Sequence, residues 1–136
     1  MKGVRSALVL VALLPAACGS GSSSSPMKEL QRVKAGDIIV VVLSDHGELT
    51  HGKDAVTLEF RGADDQLRDV GSVKATATMP MAGMAPMLGN VQVTPADAPG
   101  RFRLATDLAM TGGWQIALEW DGPDDKGGTR FQQPVR

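Results

Sequence analysis

The chain has 136 residues, 43% of them apolar, with 14 Lys and Arg against 15 Asp and Glu for a formal charge of −1. That length holds one ordinary domain with a real core, and a near-balanced charge without any basic run excludes nucleic acid as a partner. One cysteine, Cys18, excludes an intrachain disulfide, so packing alone must hold the fold.

In chain order, Lys2 and Arg5 form a positive start, and Ala7–Leu14 is an apolar run too short to span a bilayer as a stable helix. Leu14-Pro-Ala-Ala-Cys18 then sets small residues before a cysteine. This resembles the bacterial lipobox, with Pro15 where Leu is usual. The resemblance implies a lipoprotein signal peptide over residues 1–17 and a diacylglyceryl group on the Cys18 thiol. The other reading is an ordinary signal peptide cut after Ala17, leaving a free thiol. Either cleavage removes Lys2 and Arg5, so the mature formal charge is 12 − 15 = −3.

Residues 18–33 read as the lipidated Cys18 followed by a tether. Gly19–Pro26 is a Gly/Ser tract, which cannot bury a core and acts as a flexible linker. One helical turn is the reading over Lys28–Val33. No Asp directly follows Cys18, which by analogy with enteric bacteria favours the outer over the inner membrane. The expected place is therefore the cell envelope, lipid-anchored and facing the periplasm.

Residues 34–136 form the predicted domain. Asp37–Leu43 is β-branched and too apolar for a one-sided strand, so it reads as central. Ala55–Arg61 alternates Val56, Leu58 and Phe60 inward against Thr57, Glu59 and Arg61 outward. Val70–Thr78 puts Val73, Ala75 and Ala77 on one face. Val91 and Val93 mark a short strand, and Arg101–Thr106 sets Phe102 and Leu104 against two arginines. Trp114–Trp120 turns Trp114, Ile116, Leu118 and Trp120 inward, and Gly128–Gln132 adds an edge strand. About seven short antiparallel strands, broken by Gly, Pro and Asp turns, predict an all-β, immunoglobulin-like sandwich.

If consecutive strands alternate in direction, with Asp37–Leu43 pointing up, the loops sort into two poles. The upper pole collects His46, His51, Met79, Met81, Met84, Met87 and Met110. Every methionine after the signal peptide except Met27 falls there. The tether is expected to enter from the lower pole, turning the methionines away from the membrane.

Met79-Pro-Met-Ala-Gly-Met-Ala-Pro-Met87 is the chemical feature of the domain. Its Pro and Gly predict a loop. Thioethers are soft, neutral donors that select Cu(I) over hard ions, and they survive an oxidising compartment. Candidate metal residues are Met79, Met81, Met84, Met87 and Met110, with His46 or His51 completing a trigonal or tetrahedral Cu(I) site and Trp114 as a π cap. Met79, in register with Val73, Ala75 and Ala77, also reads as a core residue, and Met is a common gap filler. His46 and His51 with nearby acids could take zinc. The lower-pole aspartates suggest calcium, although Asp is simply favoured in turns.

The Met-Pro segment, Gly100-Arg-Phe102, and Asp107-Leu-Ala-Met110-Thr-Gly-Gly113-Trp114 together resemble the YtkA-like / FixH-like domain. Gly52-Lys-Asp-Ala-Val-Thr-Leu58 resembles that family's strand entry, with Asp54 where Asn is common. The likeness spans roughly Asp37–Trp120. It implies an immunoglobulin-like fold, metal contact by the same five methionines, no catalysis, and an association with copper-transport or oxidase-assembly proteins. No hydrolase elbow, metalloprotease pair or phosphate loop occurs, so no enzyme is expected. The expected function is a membrane-anchored Cu(I) binder; the alternative is a metal-free interaction or scaffold domain using the methionine loop as an apolar contact surface.

Overall fold

The structure, a computed structural model, describes residues 26–136. The signal peptide, Cys18 and the tether up to Ser25 lie outside the described residues.

Eight strands make up the domain: β1 (Lys28–Ala35), β2 (Ile38–Ser44), β3 (Gly52–Arg61), β4 (Ser72–Met79), β5 (Met87–Pro95), β6 (Arg101–Leu108), β7 (Gly112–Asp121) and β8 (Lys126–Val135). They hydrogen-bond in the order β1-β2-β3-β6-β5-β4-β7-β8, each pair antiparallel. β5 belongs to both layers. Its Met87–Gly89 end pairs with β4, and its Asn90–Pro95 end pairs with β6. The ribbon therefore folds over into two facing sheets, an immunoglobulin-like sandwich. Its free edges approach each other where the Gln31 side-chain amide donates to the Gln132 carbonyl.

Alternation explains which face each strand buries. Val40, Val42, Leu58, Phe60 and Leu104 come from one sheet and Trp114, Ile116, Leu118 and Trp120 from the other, all buried. Phe60 sits between them, edge-on to Phe102 and Trp120 at 5.5 and 5.4 Å between ring centres, an arrangement favoured by the ring quadrupoles. β2 is central, as its β-branched run requires, with Val40, Val41 and Val42 all buried. The seven expected strands are present, with β5 longer than Val91 and Val93 alone marked.

β1 is the departure. Lys28–Val33, read as the end of the tether with one helical turn, is a strand. It pairs with β2 through the two-residue turn Gly36-Asp37, with Gly36 at φ 62°, the first-position glycine of a tight hairpin. Charges weld it across the outer face. Arg32 bridges Glu29 and Asp65; Arg61 bridges Asp65 and Glu59; Arg101 bridges Glu59 and Asp97, each at 3.0–3.1 Å. The Arg32 bond holds the Asp65 carboxyl below the usual range. The buried Glu59 carboxylate raises the affinity of the Arg101 guanidinium for its proton, with Asp97 adding to it.

The alternation of loops between two poles holds throughout. Leu49 in the β2–β3 loop makes a single bridge to Val135 and no further strand. The point of entry is reversed, however. β1 runs opposite to β2 and opens with Lys28 beside Ser44, so the preceding chain arrives at the upper pole. β1 adds one reversal of direction before β2, so the expected entry at the lower pole is corrected to the upper pole.

Candidate functional site

The upper pole is built from three adjoining pieces: the β4–β5 hairpin, the β6–β7 loop and the β2–β3 loop. The hairpin carries the methionine segment. Although Pro80 and Pro86 keep its tip out of the ladder, the ladder itself reaches Met79 and Met87, which lie directly opposite each other. Both are half-buried and pack on the core. The segment is thus a loop only between them, not over its whole length, and these two side chains ride strands.

The tip is a tight turn in which the Met84 N–H donates to the Met81 carbonyl at 3.4 Å, with Gly83 at φ 71°. A glycine there is the usual occupant of a positive-φ third position. The turn leaves Met81 half-buried and Met84 65% exposed. The hairpin touches the first residue of β7, next to the β6–β7 loop, through Met79, whose methyl lies so close to Gly112 that an added Cβ would sit 2.8 Å from it. Met110, 44% exposed, stands in that same loop. The indole N–H of Trp114 donates to the Met110 carbonyl at 2.9 Å and fixes the loop from below. Trp114 is fully buried, so it supports the loop as a core anchor and offers no face to an ion.

Gly89 permits this arrangement. As β5 passes between sheets, a Cβ at Gly89 would come within 2.5 Å of Leu108 Cδ2 and 3.0 Å of the Trp114 ring. Glycine inside a strand marks such close approaches.

The histidines occupy the β2–β3 loop and are engaged elsewhere. His46 Nε2 lies 3.2 Å from Asp54 Oδ1, and His51 Nδ1 lies 3.1 Å from the Arg136 carbonyl. His46 also lines an open cavity of about 400 Å³ on the outer face of the β1-β2-β3-β6 layer, whose one lining methionine is Met27. Among the described residues, no group of three or more His, Cys, Asp or Glu gathers in metal-holding geometry. What the structure places at this pole is a strand-end pair, Met79 opposite Met87, with Met81 and Met84 in the turn between them and Met110 in the β6–β7 loop.

Asp54 is a residue whose role the sequence did not disclose. Its Oδ2 accepts from the Thr50 N–H and hydroxyl at 2.8 and 2.9 Å, and its Oδ1 accepts from the Ala55 N–H at 2.7 Å. Burial pulls its pKa up, but the Thr50 and Ala55 amides, the Thr50 hydroxyl and His46 outweigh it and hold the carboxyl below its ordinary value. The folded pKa lies under the unfolded one, about 3.9. The stabilisation is therefore complete above that value and is lost as pH falls through the folded pKa. Asp54→Asn should cost about 1–2 kcal/mol near pH 7, and the deficit should shrink below about pH 4. Urea unfolding of both proteins at pH 7, 5 and 3 checks this, and a deficit independent of pH contradicts it.

A family model described as YtkA-like matches residues 32–119. That span runs from within β1 into β7 and contains the five loop and strand methionines and both histidines. No curated protein matches the chain in sequence. Among solved structures, the filamin domain of Lin-41 is similar at 17% identity and a TM-score of 0.47, over 65% of this chain and 81% of that one.

Proposed function

The chain belongs to the YtkA-like family, and from that premise we propose that it is a non-enzymatic binding module of the cell envelope, held to a membrane by a lipid on Cys18, whose methionine pole binds Cu(I). The observation that carries this reading is the opposition of Met79 and Met87 at the end of a two-strand ladder, with Met81 and Met84 in the turn between them and Met110 in the adjoining loop. Thioethers in one small region suit a soft monovalent ion, and they need no deprotonation to bind it. Met79, Met81 and Met87 would hold the ion, and the more exposed Met84 and Met110 would meet it on entry. A site of this kind would buffer copper or pass it to a copper-transport or oxidase-assembly protein.

Competition for Cu(I) against a chromophoric chelator tests the reading. Changing Met81, Met84 and Met87 together to Ile keeps the apolar volume and removes three sulfurs. The account expects at least tenfold weaker binding; equal affinity before and after overturns it.

A second reading has its own support. Met84, Leu88 and Met110 are exposed apolar side chains at this pole, 65%, 78% and 44% accessible. Such residues favour a contact surface, and Met adapts to many partners. Capture of a protein partner that survives a copper chelator and is lost with Met84→Ser and Leu88→Ser would favour a metal-free interaction module.

A further inference from the structure

We propose that the methionine pole rests on the lipid bilayer itself, through Met27, Met84, Leu88 and Met110; this depends on the reading of Cys18 as lipid-anchored. Two independent observations point to it. The first is where the chain enters. β1 begins at the upper pole, with Lys28 beside Ser44, and only eight residues, 19–26, separate Cys18 from Met27. At about 3.3–3.6 Å per residue they span about 30 Å when fully extended, and about 15 Å as a Gly/Ser coil. A lipid on Cys18 thus keeps this pole, and not the opposite one, at the membrane.

The second observation is the distribution of apolar surface. The exposed large apolar side chains among the described residues are Met27, Met84, Leu88 and Met110. All four belong to the upper end: at the start of β1, in the β4–β5 turn, one residue into β5 and in the β6–β7 loop. The upper end also carries Asp45 and Glu48, matched in number by Lys28 and Lys53, whereas the lower loops carry Asp64, Asp69, Asp97, Asp124 and Asp125, an acidic excess that anionic lipids repel. A domain tethered at the end that bears its exposed large apolar side chains, with its acidic excess at the other, has a defined orientation on a bilayer. Weak insertion suffices, because the anchor makes docking intramolecular and raises its effective concentration. The metal reading and this one then share a geometry: an ion held by the hairpin would be presented at the membrane surface, where a membrane-embedded partner could take it.

The test uses the full chain, processed in a bacterial host and reconstituted in vesicles of phosphatidylethanolamine and phosphatidylglycerol. A fluorophore is placed through Leu88→Cys on the upper pole or Gln66→Cys on the lower. Both positions are exposed, so neither change disturbs packing, and circular dichroism confirms the fold. Nitroxide on the lipid headgroups should quench the Leu88→Cys label at least threefold more than the Gln66→Cys label, and aqueous iodide should do the reverse. Equal quenching of the two labels overturns the proposal. So does shielding of position 88 that appears only when membrane proteins are added, which would make the occupant a protein. Detergent-phase partition, with Cys18→Ser as control, separates the two failures. A chain that stays in the aqueous phase overturns both the anchor and the docking, whereas an anchored chain with equal quenching overturns the docking alone.

Discussion

Replacing Trp114 with alanine is expected to lower the free energy of unfolding by about 3–5 kcal/mol, the usual cost of deleting a buried large aromatic. Trp114 is completely buried and is the largest fully buried side chain described. Its ring fills the space beneath Gly89, and its N–H holds the Met110 carbonyl at 2.9 Å. Alanine therefore leaves a cavity between the sheets and frees the loop that carries Met110. Trp114→Phe keeps most of the packing and loses the hydrogen bond, so it should cost less than half as much. Urea unfolding read by circular dichroism separates the two, since a lower midpoint at constant slope reports stability. A loss below about 1 kcal/mol for the alanine variant would mean that the layers do not meet on this residue.

The second large effect is expected at Gly89, where a valine should cost about 1–3 kcal/mol by overpacking. Neither neighbour can retreat. Leu108 and Trp114 are both fully buried, and an added Cβ would fall 2.5 Å from Leu108 Cδ2. Backbone strain plays no part, because Gly89 is not among the glycines with positive φ. The clash makes a specific prediction of coupling. Leu108→Ala alone opens a cavity and destabilises, but in the double variant the new side chain occupies part of that space. The loss in Gly89→Val/Leu108→Ala should therefore be smaller than the sum of the single losses by more than about 0.5 kcal/mol, a coupling expected of touching residues. Strict additivity would show that β5 yields at the crossover without pressing on Leu108.

Period-2 patterning made most of this fold legible. Val56, Leu58 and Phe60, or Trp114, Ile116, Leu118 and Trp120, declare their inward face without ambiguity, and alternating directions then sort the loops between poles. β1 escaped for physical reasons. Its Lys-Glu-Leu-Gln-Arg-Val-Lys-Ala is a polar edge strand, and the register shift between Glu29 and Gln31 breaks the alternation just where a strand would show it. The Gly36-Asp37 pair was the available sign, a tight-turn dipeptide before the most apolar run in the chain. Missing that strand also inverted the tether.

The candidate site was legible in composition but not in detail. Four methionines among prolines and glycines announced themselves, whereas the pairing of Met79 with Met87 depends on a ladder that continues up to the prolines. Gly89, between Leu88 and Asn90, carried a usable hint, since glycine inside a strand signals close approach. The separate engagements of His46 with Asp54 and His51 with the Arg136 carbonyl depend on contacts that no local pattern encodes.

Residue-resolved NMR of the methionine ε-methyl groups, with Ag(I) as a redox-stable stand-in for Cu(I), tests the central claim most directly. Equimolar Ag(I) should shift the methyls of Met79 and Met87 together with at least one of Met81, Met84 and Met110, and leave Met27 where it was. Shifts confined to Met27, or a spectrum that ignores the ion, would contradict a soft-metal site at the hairpin.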